Sequence, residues 1–154
     1  LMERCGFAVL EASMVNRDTL SLVVRKRPQM ETENLLDCYV NLRSEMDTYM
    51  KYLKAWNKKV CMWGASHQGF TLAATTSLGK NVEYIIDSAP FKHGKFAPAS
   101  HLPIVPPDHF EEHPVDAIVI TAPGYTDEIA KIIRERFGDK IEIRAMRSNH
   151  LEMV

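Results

Sequence analysis

The residues best placed to meet a ligand are Gly64-Ala65-Ser66-His67-Gln68-Gly69, whose pattern carries the chain from a strand into a helix. They keep the first and third glycines of the GxGxxG dinucleotide pattern and put Ser66 where the middle one stands. That glycine lets a pyrophosphate touch the backbone, so Ser66 argues against ordinary NAD binding. The helix N-terminus beyond it still offers unpaired N–H groups and a positive dipole end, which suit an anion. The plainer alternative is a tight turn with no ligand.

Asp87 ends the next strand pattern, 23 residues after Gly64. An acid there either bonds a ribose hydroxyl or caps the following turn, and spacing alone leaves both open. Pro90 to His101 form the densest polar cluster in the chain, with Lys92, His93, Lys95 and His101 as groups able to meet phosphate oxygens. The alternative is a solvated loop, although its glycine and prolines set its shape. Tyr125 closes Ala122-Pro123-Gly124-Tyr125 after a later strand, at the same sheet edge. His109 and His113 stand at i, i+4 without an HExxH pattern, and Pro114 stops their helix, so no metal site is assigned. Gly64-Ala65-Ser66 starts like a GxSxG nucleophile elbow, but Gln68 breaks it and no acid and base partner is evident.

These residues need a scaffold, and the hydrophobic pattern supplies one. Val60–Trp63, Val82–Ile86, Leu102–Val105, Asp116–Thr121 and Lys140–Met146 read as short buried strands, with Lys140–Met146 the last. Helices fall between them: Phe70–Leu78 stopped by Gly79, a brief one from Pro106-Pro107 through Glu112, and Asp127–Phe137 stopped by Gly138. The alternation predicts a Rossmann-like α/β fold in three layers, a mostly parallel sheet with helices on both faces. Ligands then bind at the carboxyl ends of the strands, where the strand order reverses.

Upstream the grammar differs. Phe7–Val15 and Leu20–Lys26 alternate like strands around the polar turn Asn16-Arg17-Asp18-Thr19, which predicts a β-hairpin. A lone hairpin is marginal in water, so it needs a sheet to join. The basic linker Arg25-Lys26-Arg27-Pro28 follows. Thr32 is placed to cap a long amphipathic helix over Glu33–Asn57. The division predicted is a hairpin at 1–27, a connector helix at 28–57 and the Rossmann-like domain at 58–154.

With 154 residues, 45% hydrophobic and 25% charged, the chain has the composition of a soluble globular domain. Its net charge of -1 gives no field to draw nucleic acid or an anionic membrane, and no apolar run approaches the ~20 residues of a membrane span. Cys5, Cys38 and Cys61 make neither a disulfide framework nor a CxxC pair, so a reducing, cytoplasmic setting is expected. Leu1–Gly6 reads as a helix tail ended by Gly6, which points to a fragment of a longer polypeptide.

Several motifs in fixed order resemble the C-terminal domain of the SAM-dependent C-methyltransferases that act on nucleotide-linked deoxysugars. Gly64 to Gly69 match a G-A-x-x-K-G turn except at Gln68. Asp87 to Lys95 match D-x-x-P-x-K-x-G-x, and Pro98 to Ile104 follow a P-G-x-x-x-P-I element with Ala99 at its glycine. Ala122 to Ile129 stand where the family has A-W-N-x-x-x-E-I, with Pro123-Gly124 replacing Trp-Asn. Cys5–Val9 and Leu20–Val24 resemble the last two strands of an upstream methyltransferase domain.

The resemblance implies S-adenosylmethionine as cofactor of the full-length protein, bound upstream and not by this chain. It implies no catalytic residue here, and a substrate-side surface for a nucleotide-linked sugar or similar small molecule. The partners it implies are that substrate and the upstream domain, and a homo-oligomer is compatible with it. Two other readings stand beside it: a nucleotide-binding sensor or redox module using NAD, and a structural or oligomerisation domain.

Overall fold

The computed structural model describes residues 2–15, 17, 19–27, 33–147 and 149–154. Asn16 and Asp18 of the predicted turn, Pro28 of the linker and the helix cap Thr32 lie outside the described residues. The chain divides into two compact units, Leu1–Asn34 and Leu35–Val154.

In the first unit a single 3-10 turn, Met2–Cys5, leads through Gly6 at φ +83° into β1 (Phe7–Val15), which pairs antiparallel with β2 (Thr19–Lys26). A bulge between Val9 and Glu11 shifts the register and re-aims the strand. Beyond it the cross-strand pairs Ala12–Leu22 and Met14–Leu20 share one face, and Glu11–Val23 and Ser13–Ser21 share the other. The first face is therefore apolar, and Met14 and Leu20 on it are each about 60% exposed.

The second unit takes in α1 (Glu33–Ala55) from Leu35 onward. Asn57, at φ 52°, ends it in the left-handed region that asparagine tolerates, with the Lys58 N–H donating back to Leu53 O at 2.8 Å. Then come β3 (Val60–Trp63), α2 (His67–Thr75), α3 (Leu78–Asn81), β4 (Val82–Ile86), β5 (Ile104–Val105), α4 (His109–Glu112), β6 (Ala117–Ile120), α5 (Thr126–Phe137), β7 (Glu142–Met146) and β8 (Leu151–Met153). The six strands form one sheet in the order β5-β4-β3-β6-β7-β8, parallel throughout except for β8.

Period-two alternation splits the core into two layers. Val60 and Met62 of β3, with Ala117 and Val119 of β6, face Met46, Met50 and Leu53 of α1 and Leu72 of α2. Cys61 and Trp63, with Ile118 and Ile120, face Phe110 of α4 and Ile129 and Ile133 of α5. The sheet is thus covered on both faces, the three-layer α/β architecture that strand–helix alternation predicts.

Three expectations change. The sheet does not end at Met146: Arg147 N donates to His150 O and turns the chain into β8, a three-residue strand too short to leave a periodic signal. α2 starts at His67, three residues before Phe70, because Ser66 caps it. Gly79 is no helix stop but lies inside α3, where a side chain would sit 2.3 Å from Ala73 O, so its lack of one lets α3 approach α2.

On the α4 side the Tyr84 ring meets His109 edge-on at 4.8 Å, and His113 stacks on His109 at 4.3 Å. Burial, helped by the neighbouring His113, holds the His109 imidazole below its ordinary value, with Glu112 opposing. The unfolded chain therefore takes up this proton at a higher pH than the folded one. Stability should fall as the pH drops through the unfolded histidine value of about 6.5. His109→Phe, which keeps an aromatic ring beside Tyr84, should lose less stability between pH 7 and pH 5 in urea unfolding; equal losses would refute the assignment.

Candidate functional site at the strand switch point

From β3 the chain moves to β4 and β5 on one side, then returns to β6 on the other. The switch point therefore lies between the carboxyl ends of β3 and β6, and a cleft of about 450 Å³ opens there. That volume falls in the range of small-molecule sites.

The first turn is held by close contacts with β6. Gly64 has φ +117°, and a side chain on it would come within 3.0 Å of Ala122 Cβ. At Gly69 a side chain would lie 2.7 Å from both Gly64 O and Thr121 Oγ1. The fully buried Thr121 hydroxyl donates to Gly64 O at 2.9 Å. The Ser66 hydroxyl donates to Thr121 O at 3.0 Å and accepts from Gly69 N at 3.2 Å, so this side chain caps α2 and ties it to β6.

Asp87 braces the same turn from β4. Its Oδ2 accepts from Ala65 N at 2.8 Å and from Lys92 Nζ at 2.9 Å, and its Oδ1 accepts from Ala89 N at 2.9 Å. Lys92 also donates to Ala65 O at 2.9 Å. His93 Nε2 lies 2.7 Å from the Asp87 backbone oxygen. The loop beyond is shaped by its own bonds, Gly94 N to Ile104 O and Ala97 N to Leu102 O among them.

Of the residues picked out in the sequence, Gly64, Ser66, Asp87, Lys92 and Tyr125 line the cleft. Ala65 and Gly69 are buried in the turn, while His67 and Gln68 stand exposed on the first turn of α2, outside the lining. His93, Lys95 and His101 lie outside it as well, Lys95 and His101 exposed. Trp63, Ser88, Ala89 and Ala122 complete the floor, and Glu128, Ile129 and Ile132 of α5 form a wall. The sequence places Ala122-Pro123-Gly124-Tyr125 at this edge but not the α5 wall beyond it, although the helix start directly after Tyr125 marks where that wall begins.

Cys61 is no nucleophile: it is wholly buried, and burial pushes its thiol well up. Among the described residues no group of three or more His, Cys, Asp or Glu side chains is placed to hold a metal ion. Among them, too, no helix is long and apolar enough to cross a membrane.

Residues 33–141, well over half the chain, match the C-methyltransferase C-terminal domain family. The chain belongs to this family. No curated protein matches it. The fold is similar to that of UDP-D-quinovosamine 4-dehydrogenase from Vibrio fischeri, with a TM-score of 0.51 over 63% of this chain and 93% of that one. At 19% identity the likeness is one of fold. The family match takes in every residue that lines the cleft and leaves the hairpin outside.

The contacts of this C-methyltransferase C-terminal domain set a sharp contrast between two glycines. Gly69→Ala forces a methyl group against backbone and a buried hydroxyl and should destabilise the fold by about 1–3 kcal/mol. Gly124→Ala meets nothing within 4 Å and should stay within about 0.5 kcal/mol of the parent. Denaturant unfolding of both variants checks this, and equal stabilities would contradict the packing role of Gly69.

Proposed function

We propose that this domain forms the substrate side of a SAM-dependent C-methyltransferase, its cleft receiving a nucleotide-linked sugar or similar small molecule. The observation that carries the reading is the cleft itself. It opens at the switch point of a domain of this family, with a braced floor and a wall on α5 that combines Ile129 and Ile132 with Glu128. A sugar-nucleotide enzyme shares the fold.

The methyl donor binds in another part of the protein in this reading. Asp87, the acid placed where a Rossmann site takes a ribose, spends both carboxylate oxygens on Ala65, Ala89 and Lys92. That leaves Asp87 little capacity to hold a ribose, which supports a methyl donor held elsewhere. The exposed apolar face of the β1–β2 hairpin is the surface that an upstream methyltransferase domain would cover, in a reducing compartment that keeps the three cysteines as thiols.

Two measurements test the proposal. Titration with UDP- or TDP-linked hexoses should move the amide resonances of Gly64, Ser66 and Tyr125, and Ile132→Trp, which fills the cleft from α5, should weaken binding at least tenfold. With labelled S-adenosylmethionine the 154-residue chain alone should transfer no methyl group. Failure of every nucleotide-linked sugar to bind, or methyl transfer by the chain alone, refutes the reading.

A further inference from the structure

The first turn looks like an anion cradle, but three of its N–H donors are already spent, and His67 and Gln68 at the start of α2 lie outside the lining of the cleft. Ala65 N donates to the Asp87 carboxylate, Ser66 N to Gly64 O, and Gly69 N to the Ser66 hydroxyl. Asp87 is thus the anion that occupies this turn. Its other charged partner, Lys92, is the cation among the lining residues, and it sits 2.9 Å from the same carboxylate with a side chain only 29% exposed. One Lys92 N–H remains for a ligand oxygen, since Asp87 and Ala65 O take the other two.

Across the cleft stands Glu128, exposed in the first turn of α5, where with Asp127 it offsets the positive end of the helix. Among the described residues no ion pair or hydrogen bond engages its carboxylate. The lining therefore carries two carboxylates against one ammonium.

We infer that the cleft receives the uncharged or amine-bearing ring of its ligand and excludes phosphate, with Asp87 filling the anion seat and Glu128 selecting hydroxyl or ammonium donors. The inference rests on the reading of this cleft as a ligand site. It orients a nucleotide-linked sugar with its sugar ring inward and its phosphates outside. Glu128 is then a specificity-determining residue, accepting hydrogen bonds from ring substituents and repelling an anion that approaches along the same wall.

The test is NMR titration of the 154-residue chain with glucose, glucosamine, glucose 6-phosphate and inorganic pyrophosphate, read at Ser66, Tyr125 and Ile129. Glucose and glucosamine should bind in the cleft at least tenfold more tightly than the two phosphates. Glu128→Gln should remove most of the preference for glucosamine over glucose. Asp87→Asn should raise pyrophosphate affinity severalfold; if that variant does not fold, the Glu128→Gln comparison decides. Either phosphate binding as tightly as glucose, or a glucosamine preference unchanged in Glu128→Gln, overturns the inference while leaving the cleft a ligand site. If none of the four probes binds while a UDP- or TDP-linked hexose does, the inference falls and the proposed function stands; if the nucleotide-linked hexoses fail as well, both fall.

Discussion

The seam between β3 and β6 is the contact on which the candidate site depends. Two parallel strands that part at a switch point leave their carboxyl ends to diverge, and here a buried hydroxyl closes the gap. Thr121 reaches across to Gly64 O, and Ser66 reaches back to Thr121 O. The exchange requires backbone to lie where side chains would otherwise stand, and this is why Gly64 and Gly69 carry none. The glycines of this turn answer to protein packing as fully as a dinucleotide would require. A glycine pattern at such a turn therefore indicates close approach before it indicates a ligand.

Asp87 joins the second side of the cleft to that seam. A carboxylate that is nearly buried must have its lone pairs satisfied, and two backbone N–H groups and an ammonium do so. One of those donors belongs to the first turn and one to the start of the polar loop. The same side chain therefore fixes β4, the turn and Lys92 relative to one another. Rigidity of this kind positions a ligand well, and it also commits the groups that a phosphate would have used.

Much of the scaffold was legible because its signals are local. β3, β4 and β6 are apolar runs that stop at Gly64, Asp87 and Thr121, and α5 shows an inward stripe at helical spacing ended by Gly138. The failures have one physical cause, which is that a residue type can serve two purposes. Gly79 as a helix stop and Gly79 as a point of close approach look alike in a sequence, since both need only the absence of a side chain. Ser66 reads as a missing glycine against one template and as a helix cap against another, and the cap decided where α2 begins. β8 is held by pairing to β7 rather than by its own pattern. The cleft was half legible for a related reason. Its turn and acid are marked by residue type, but Ile129 and Ile132 belong to a stripe whose members look equivalent until the sheet shows which of them reach the cleft.

The polar loop shows how composition and geometry diverge. Lys92, His93, Lys95 and His101 suggest one basic cluster when read along the chain. Folding separates them by what each is bonded to: Lys92 and His93 turn inward to Asp87, while Lys95 and His101 stay at the surface. A charge compensated within 3 Å contributes little field at longer range, so the loop's contribution to the cleft is one hydrogen-bond donor rather than a patch of positive potential. The uncompensated charge in the lining comes instead from Glu128, a single acid near the start of α5. The sign of the cleft is thus a property of the tertiary fold, set by which ions the chain has paired with itself.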